Sequence, residues 1–313
     1  MTSRRYSHSA LKTAQRCLKQ WSYKYIDRLE PVVSKPHLEK GSELHALLEQ
    51  YYRDEWFSGN YGSDDNTEII QRYLHHYAKD DWEILHIEEE FEMIVNGYTL
   101  VFIPDLVVRI NGEVWIVDHK TTVRIPDEWD LYNMGDFQHL LYLEGMEQNG
   151  YDEVAGFIFN YIRTKPPTMP KLRKDGKIAD IRRLDTDYNT LLMFAEEHGL
   201  EKDPDVEEKL AILAHTPNKF FQRHHILYNE HAVAQAVHDT AQALTFLEEA
   251  EIESMYPRHV ISGGGGYMSC AKCDYQPLCH TEMLGMNVDL EVLGYRERER
   301  RNNDNAEPSD ERQ

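Results

Sequence analysis

The sequence predicts an α/β protein with a mixed β-sheet flanked by helices. Three observations support this prediction. A β-branched and aromatic stretch covers residues 88–121, a helical pattern follows at 129–148, and an apolar strand follows at 154–162. Strands and helices that alternate in this order are typical of α/β domains.

Length and composition limit the possible functions. The 313 residues, 41% of them hydrophobic, are enough for a folded domain with a sizeable core. The net charge is −21, from 34 basic and 55 acidic residues, which excludes a basic nucleic-acid coat protein. No apolar run reaches the ~18 residues of a membrane span, and residues 1–20 lack the apolar stretch of a signal peptide. We therefore expect a cytoplasmic protein that does not contact a membrane.

The elements follow from the spacing of apolar residues. Leu11, Ala14 and Leu18 recur at helical spacing, and so do Leu44 and Leu48 in a second helix that begins near residue 41. Asn96-Gly97 and Asn111-Gly112 predict two tight hairpins in the β-rich stretch. Helical, mostly acidic segments are expected at about 188–214 and 230–255.

We expect a single domain over residues 1–295. Its parts are a core at about 41–162, a basic insert at 163–183, a helical region at 188–256 and a cysteine-containing segment at 270–279. The polar residues 296–313 are predicted to form a disordered tail.

The second hairpin carries the most informative residues. If Asn111-Gly112 is a two-residue turn, paired residues have numbers that sum to 223, so Asp105 lies opposite Asp118. Lys120, two residues beyond Asp118, projects from the same face. Two carboxylates and an ammonium group on a buried sheet are costly unless a partner compensates their charge.

A divalent metal would supply that compensation, because paired carboxylates suit Mg²⁺ or Mn²⁺. Lys120 would then orient a metal-activated water or stabilise negative charge in the transition state. The alternative is a cross-strand ion pair with one spare carboxylate. The burial of three charges on one face favours metal-assisted hydrolysis.

Pro104-Asp105 followed by Asp118-His119-Lys120 resembles the signature of the PD-(D/E)XK nuclease superfamily. The segment 41–52, GSELHALLEQYY, is similar to a motif of its RecB-like branch, and the segment 138–142, QHLLY, matches that branch's Q-x-x-x-Y motif. The resemblance implies a restriction-endonuclease-like core with helical additions.

The resemblance also implies the site residues. His45, Asp105, Asp118 and the backbone carbonyl of His119 would bind the metal, Lys120 would be the catalytic lysine, and Gln138 and Tyr142 would position substrate. From the residues alone, His45 could equally be a surface or core histidine, and Tyr142 could simply pack. Glu90 is a further candidate acid, although Glu88 and Glu89 make this run ambiguous.

The four cysteines form a second pattern. Cys270, Cys273 and Cys279 have the spacing C-x₂-C-x₅-C, and Cys17 is the only other cysteine. Four thiolates suit either a Zn²⁺ ion or a [4Fe–4S] cluster. The resemblance to RecB-like nucleases, including phage-encoded and CRISPR-adaptation exonucleases, implies the iron–sulfur cluster, which would join the N- and C-terminal segments.

DNA contact in so acidic a chain requires local basic patches. The insert 163–183 has eight basic and two acidic residues, and Lys171, Arg173 and Lys174 are candidate DNA contacts. The alternative is a solvated charged surface.

The expected function is a metal-dependent exonuclease that acts on single- or double-stranded DNA ends. Two alternatives remain open: a CRISPR-adaptation-like trimming factor that acts with a recombination or integrase partner, and a non-catalytic DNA-binding metalloprotein.

Overall fold

The computed structural model describes residues 5–33, 36–54, 65–78, 80–127, 137–151, 154–174, 176–181, 183–258 and 270–298. The mixed α/β architecture is confirmed within these ranges. The strands are β1 (Arg5–Ser7), β2 (Leu29–Pro31), β3 (Glu83–Ile87), β4 (Phe91–Val95), β5 (Tyr98–Phe102), β6 (Leu106–Ile110), β7 (Glu113–Thr122), β8 (Val154–Arg163), β9 (Phe221–Leu227) and β10 (Tyr295–Glu297). The helices are α1 (His8–Arg16), α2 (Leu18–Trp21), α3 (Pro36–Tyr52), α4 (Asp65–His76), α5 (Gln138–Gln148), α6 (Tyr188–His198), α7 (Pro204–Ala214), α8 (Glu230–Ile252) and α9 (Gln276–Met283).

A five-stranded mixed sheet forms the centre of the fold. Its strand order is β3-β6-β7-β8-β9, with β7 and β8 parallel and the other pairs antiparallel. The first hairpin, β4–β5, pairs with β1 in a separate three-stranded sheet, while β2 and β10 form a two-stranded ribbon. The two predicted hairpins therefore belong to different sheets.

The register of the β6–β7 hairpin is the one predicted from its turn. Ile110 pairs with Glu113 and Leu106 pairs with Val117, so paired residue numbers sum to 223. The two turn residues, Asn111 and Gly112, have φ angles of 52° and 91°. Asn and Gly tolerate this left-handed conformation, which a type I′ turn requires at both central positions.

The alternation of side chains along β7 gives the two faces of the sheet different neighbours. Asp118 and Lys120 face α5, because both contact Gln138 of that helix. Thr121 faces α3: a Cβ atom added at Gly41 would lie 2.8 Å from its Oγ1. One apolar core packs around α5 and α8, and a second one packs beneath α3 and α4.

Several boundaries differ from the predictions. Helix α3 begins at residue 36 and not near residue 41. The predicted helix at 129–148 is observed from residue 138, and residues 128–136 lie outside the described ranges. The segment 188–214 forms two helices, because Gly199 ends the first of them with a left-handed φ of 66°. The predicted disorder from residue 296 is wrong at its start, since Arg296 and Glu297 pair with β2; residues 299–313 lie outside the described part.

The N- and C-terminal segments of the described chain pack against each other. Tyr23 and Leu29 form a buried cluster with Tyr275, Leu278 and Tyr295, and Cys273 and Cys279 pack against it. Within the described residues, no helix combines the length and apolar character needed to cross a membrane.

Candidate active site

The hairpin brings the two predicted aspartates to one end of the central sheet. Asp105 directly precedes β6, and its Oδ2 accepts a hydrogen bond of 2.5 Å from the backbone N–H of His119 on β7. The backbone carbonyl of Asp105 accepts a hydrogen bond of 3.1 Å from the N–H of Glu88. The carboxylate is therefore anchored to the strand that carries Asp118 and Lys120.

A group of three potential metal ligands lies beside this anchor. His45 Nδ1 is 3.5 Å from Asp105 Oδ1. The donor atoms of His45, Glu88 and Asp105 all lie within 4.8 Å of one another, which is close enough for a single ion to contact all three. Helix α3 contributes the histidine, and the segment between β3 and β4 contributes the glutamate. The group contains His45 and Asp105, as predicted, together with Glu88.

Glu88 is the acid that sequence reasoning did not assign to the site. The other candidate acid, Glu90, instead forms an ion pair of 2.7 Å with Arg5, the first residue of β1. Glu88 has a φ of 48°, an uncommon conformation for a residue other than glycine. Three consecutive glutamates give no pattern that would distinguish one from another, and a local left-handed backbone has no sequence signal in a glutamate.

The catalytic lysine candidate is paired with the second aspartate. Lys120 Nζ lies 2.7 Å from Asp118 Oδ2. The ammonium group therefore compensates the charge of this buried oxygen. Asp118 itself is 6% exposed. Asp118 lies outside the group formed by His45, Glu88 and Asp105.

Gln138, at the start of α5, connects these groups. Its side-chain amide donates hydrogen bonds to Asp118 Oδ1 at 3.3 Å and to the hydroxyl of Tyr142 at 3.0 Å, and its carbonyl accepts one from Lys120 at 3.4 Å. Tyr142 is buried and its ring packs 5.0 Å from that of Phe102. Tyr142 is therefore a core residue whose hydroxyl accepts a hydrogen bond from Gln138, and its role in positioning substrate stays a prediction.

Burial and mutual repulsion shift the ionisation of the acids. Burial raises the pKa of Glu88 to about 7, and the negative charge of Asp105 adds to this shift. Burial likewise raises the pKa of Asp118 to about 6, although Lys120 opposes it. Burial also acts to raise the pKa of Asp105, but the hydrogen bond with His45 lowers it to about 2. Glu88 and Asp118 are therefore harder to ionise than free carboxyl groups, and nearby positive charge would favour their ionised forms. This is the expected behaviour of acids that bind a cation.

The residues present fit a divalent cation. Carboxylate oxygens and one imidazole are ligands that suit Mg²⁺ or Mn²⁺, with the imidazole favouring Mn²⁺. The buried Oδ2 of Asp118 already lies 2.7 Å from the ammonium group of Lys120, and a bound cation would supply further positive charge beside it. The site therefore has the chemistry for metal-assisted hydrolysis.

The four cysteines are all within the described residues. Cys17 separates α1 from α2, Cys270 starts a 3₁₀ turn, and Cys279 lies in α9. Burial raises the pKa of the Cys273 thiol, and the nearby Cys17 contributes to the rise. Arg258 Nε donates a hydrogen bond of 3.3 Å to Cys279 Sγ. No iron–sulfur cluster is established by this arrangement.

The predicted DNA contacts lie on a short hairpin of the basic insert. Leu172 bridges Ile178, the N–H of Arg173 donates to the carbonyl of Lys177 at 2.8 Å, and Lys171, Arg173 and Lys174 are exposed. The insert starts at the end of β8, where Thr122 pairs with Arg163, two residues beyond Lys120. Asp185 fixes its other end through two hydrogen bonds of 2.8 Å from Arg163.

Residues 5–280 match the family model of the PD-(D/E)XK nuclease superfamily. Among solved structures, the chain is similar to a candidate exonuclease from Eubacterium rectale, with 14% identity, a TM-score of 0.46, and coverage of 84% of this chain and 91% of that one. It is also similar to a phage-related exonuclease from Haemophilus somnus 129PT, with 10% identity, a TM-score of 0.35, and coverage of 81% and 97%. No curated protein sequence matches this one.

Proposed function

The chain belongs to the PD-(D/E)XK nuclease superfamily, and from this premise we propose that it is a metal-dependent deoxyribonuclease that hydrolyses phosphodiester bonds at DNA ends. The observation that carries the proposal is the contact of Lys120 with both Asp118 and Gln138, beside the group of His45, Glu88 and Asp105. A binding protein has no need for this combination.

Metal binding is assigned to the acids and the histidine. In the proposed site, His45, Asp105, Asp118 and the backbone carbonyl of His119 would hold the cation, and Glu88, which lies in one group with His45 and Asp105, would be a further ligand. When bound, a divalent cation polarises a phosphoryl oxygen and lowers the pKa of a bound water. Asp105 supports this arrangement because its second oxygen is fixed by the N–H of His119.

Lys120 is proposed to act on the substrate directly. Its ammonium group can donate hydrogen bonds to the attacking water and to the phosphoryl oxygens, where negative charge increases in the transition state. Gln138 keeps the lysine oriented, and the hydroxyl of Tyr142 keeps Gln138 oriented. These contacts fix the geometry before substrate binds, which reduces the entropic cost of reaching the transition state.

DNA binding is proposed to involve the exposed hairpin of the insert. Lys171, Arg173 and Lys174 can pair with backbone phosphates. Their contribution matters because the chain as a whole carries a charge of −21, which repels DNA. Arg163, where the insert starts, pairs with β7 two residues beyond Lys120 and bonds Asp185. This supports a location of the insert near the end of β7 that carries Lys120.

The four cysteines are proposed to bind a [4Fe–4S] cluster, with Zn²⁺ as the alternative. Support comes from packing. Cys273 and Cys279 lie against the apolar side chains of Tyr23 and Leu29, and these two residues follow Cys17 in the chain. An iron–sulfur cluster at this place would stabilise the fold and would take no part in hydrolysis. Cys270→Ser should bleach the anaerobically purified protein and lower its melting temperature; lost colour with an unchanged melting temperature would contradict a structural role.

A cleavage assay tests the proposed nuclease. End-labelled linear single- and double-stranded DNA and closed circular DNA would be incubated with Mg²⁺, Mn²⁺ or EDTA. We expect metal-dependent shortening of linear DNA, lost in Lys120→Ala and kept in Lys202→Ala, which changes an exposed lysine after α6. Cleavage of circles would indicate an endonuclease. A folded, metal-bound protein that cuts nothing would contradict independent activity and favour the partner-dependent trimming factor.

A further inference from the structure

A buried polar network lies on the face of the central sheet opposite to Lys120. Its centre consists of His119, Asn160 and Arg223, which occupy paired positions on β7, β8 and β9. His119 and Asn160 are buried, and the side chain of Arg223 is 9% exposed. Most buried polar groups are hydrogen-bonded, so the contacts of these side chains indicate what the network does.

Arg223 is held rigidly at the edge of the network. Its Nη1 forms an ion pair of 2.7 Å with Asp80. Its guanidinium carbon lies 3.5 Å from the ring centre of Tyr77 and 4.0 Å from that of Trp82, in cation–π geometry. The positive charge is therefore compensated without any contribution from the metal-site acids.

The hydrogen-bond donors of the network point in one direction. Arg223 can only donate: Nη2 bonds the hydroxyl of Tyr73 at 2.8 Å, and Nε bonds the side-chain carbonyl of Asn160 at 3.4 Å. The amide nitrogen of Asn160 must then donate, and it does so to the Tyr73 hydroxyl at 2.9 Å and to Nδ1 of His119 at 2.6 Å. The Tyr73 hydroxyl accepts twice, so its own proton is available for Tyr52, 3.4 Å away.

This direction fixes the tautomer of His119. The amide nitrogen of Asn160 donates to Nδ1, so this ring nitrogen carries no proton and the ring is neutral. Because Nδ1 accepts a hydrogen bond from Asn160, the single ring proton is on Nε2, a buried nitrogen without a hydrogen-bond partner among the described residues. The ring is further held by stacking on Tyr52, with centres 5.9 Å apart and planes 10° apart.

His119 connects the network to the metal site. Its backbone N–H holds Asp105 Oδ2 at 2.5 Å, and its ring lies edge-on to that of His45, with centres 6.0 Å apart. Asp118 and Lys120 are its chain neighbours. A shift of the His119 ring would therefore move the backbone that positions these groups.

We propose that Arg223, Asn160 and Tyr73 are positioning residues of the nuclease site, which fix the tautomer and location of His119 and, through its backbone, the carboxylate of Asp105. The effect on metal binding rests on the proposed function, whereas the assignment of the His119 tautomer does not. None of the three residues contacts the proposed ligands Asp105 and Asp118 through an observed hydrogen bond.

The tautomer is tested by NMR on the metal-free, full-length protein with ¹⁵N-labelled histidine. The signals of His119 are identified by their loss in His119→Gln. We expect protonated Nε2 in the wild type. Asn160→Asp, which exchanges the donor for a carboxylate, should place a proton on Nδ1. A wild-type ring protonated on Nδ1, or an unchanged ring in Asn160→Asp, would overturn the assignment.

The link to the metal is tested by Mn²⁺ binding, followed by EPR of the free ion. Asn160→Asp and Tyr73→Phe should weaken Mn²⁺ binding about 10- to 100-fold, as is typical for residues that orient ligands. Arg223→Lys should lie between wild type and Arg223→Gln. The control Arg109→Gln removes a cross-strand pair with Glu83 from the same sheet and should bind Mn²⁺ as the wild type does.

The variants separate positioning from simple destabilisation. Tyr73→Phe keeps the ring that packs in the core, so it remains informative if Asn160→Asp does not fold. Mn²⁺ affinity within twofold of the wild type in the folded variants would overturn the positioning role. A wild-type protein that binds no Mn²⁺ would overturn the metal site itself, while the tautomer result would still describe the network.

Discussion

Lys120 Nζ lies 2.7 Å from the Oδ2 of Asp118, two residues earlier on the same strand and the same face. Strand geometry explains the pair, since side chains at i and i+2 project in the same direction. In the metal-free protein the lysine supplies part of the positive charge that a bound cation would supply. Gln138 contacts both members of the pair, with hydrogen bonds of 3.4 Å from Lys120 and 3.3 Å to Asp118.

The first prediction separates Lys120 from the metal ligands. Lys120→Ala should lower the rate of DNA cleavage by at least 10²-fold, because a transition-state donor is lost. Mn²⁺ binding should be kept or strengthened, since a positive charge next to Asp118 is removed. Single-turnover cleavage and EPR titration of Mn²⁺ would be compared with those of Lys202→Ala. A loss of Mn²⁺ binding would show that the lysine instead organises the ligands.

The second prediction concerns pH and stability without metal. The pKa of Asp118 is raised to about 6 and that of Glu88 to about 7, so the folded state binds protons more tightly than the unfolded state. Stability should therefore fall as pH rises from about 4 to about 7. A rise of about two pKa units corresponds to about 3 kcal/mol, so Asp118→Asn should stabilise the metal-free protein by up to that amount at pH 8.

Urea unfolding in EDTA at pH 5 and pH 8 measures this effect. Asp118→Asn should reduce the difference between the two pH values, while the control Glu208→Gln, at an exposed position of α7, should not. The lowered pKa of Asp105 acts in the opposite direction, but only below about pH 4. An Asp118→Asn protein that is less stable than wild type at pH 8 would contradict the prediction.

The third prediction concerns the approach of α3 to β7. In Gly41→Ala the added Cβ would lie 2.8 Å from Thr121 Oγ1, so either α3 or the side chain of Thr121 must shift. We expect a loss of about 1–3 kcal/mol in stability, as for overpacking in general, and weaker Mn²⁺ binding because α3 carries His45. Thr121→Ala removes the obstructing atom, so the double variant should regain both stability and Mn²⁺ binding. Strictly additive effects in this double-mutant cycle would show that the contact is not the cause.

The fourth prediction concerns the basic insert. Replacing Lys171, Arg173 and Lys174 together with Gln should weaken DNA binding and reduce the salt slope, log Kd against log salt, by up to about 3. Cleavage at saturating DNA should change little, since none of these residues belongs to the metal site. Fluorescence anisotropy at several salt concentrations measures both quantities. Equal slopes for variant and wild type would exclude phosphate contacts at this hairpin.

The sequence is most informative where local rules determine geometry. The Asn-Gly turn sets the β6–β7 register, and that register places Asp105 opposite the segment 118–120. The fold class and the strand at 154–162 follow equally from periodicity. These features depend on short-range spacing, which a single sequence records directly.

Other features depend on contacts between distant segments and have no local signal. Asn160 contacts His119, and Arg223 contacts Asn160, only because β8 and β9 pair beside β7. Glu88 reaches the site through a left-handed backbone, and Tyr142 is buried by packing on Phe102. The roles of the site residues themselves stay predictions until variants are measured.

The pairing of β2 with β10 sets when the fold can be completed. Pro31 meets Tyr295, so this ribbon cannot form until residue 297 has left the ribosome. The central sheet, which ends at residue 227, can assemble earlier. The energetic cost of closing so long a loop grows only slowly with its length, so distance does not prevent the final step. Chains that stop short of this ribbon would leave Tyr23 and Leu29 without Tyr295, one of the partners that bury them, and apolar surface exposed in this way favours aggregation.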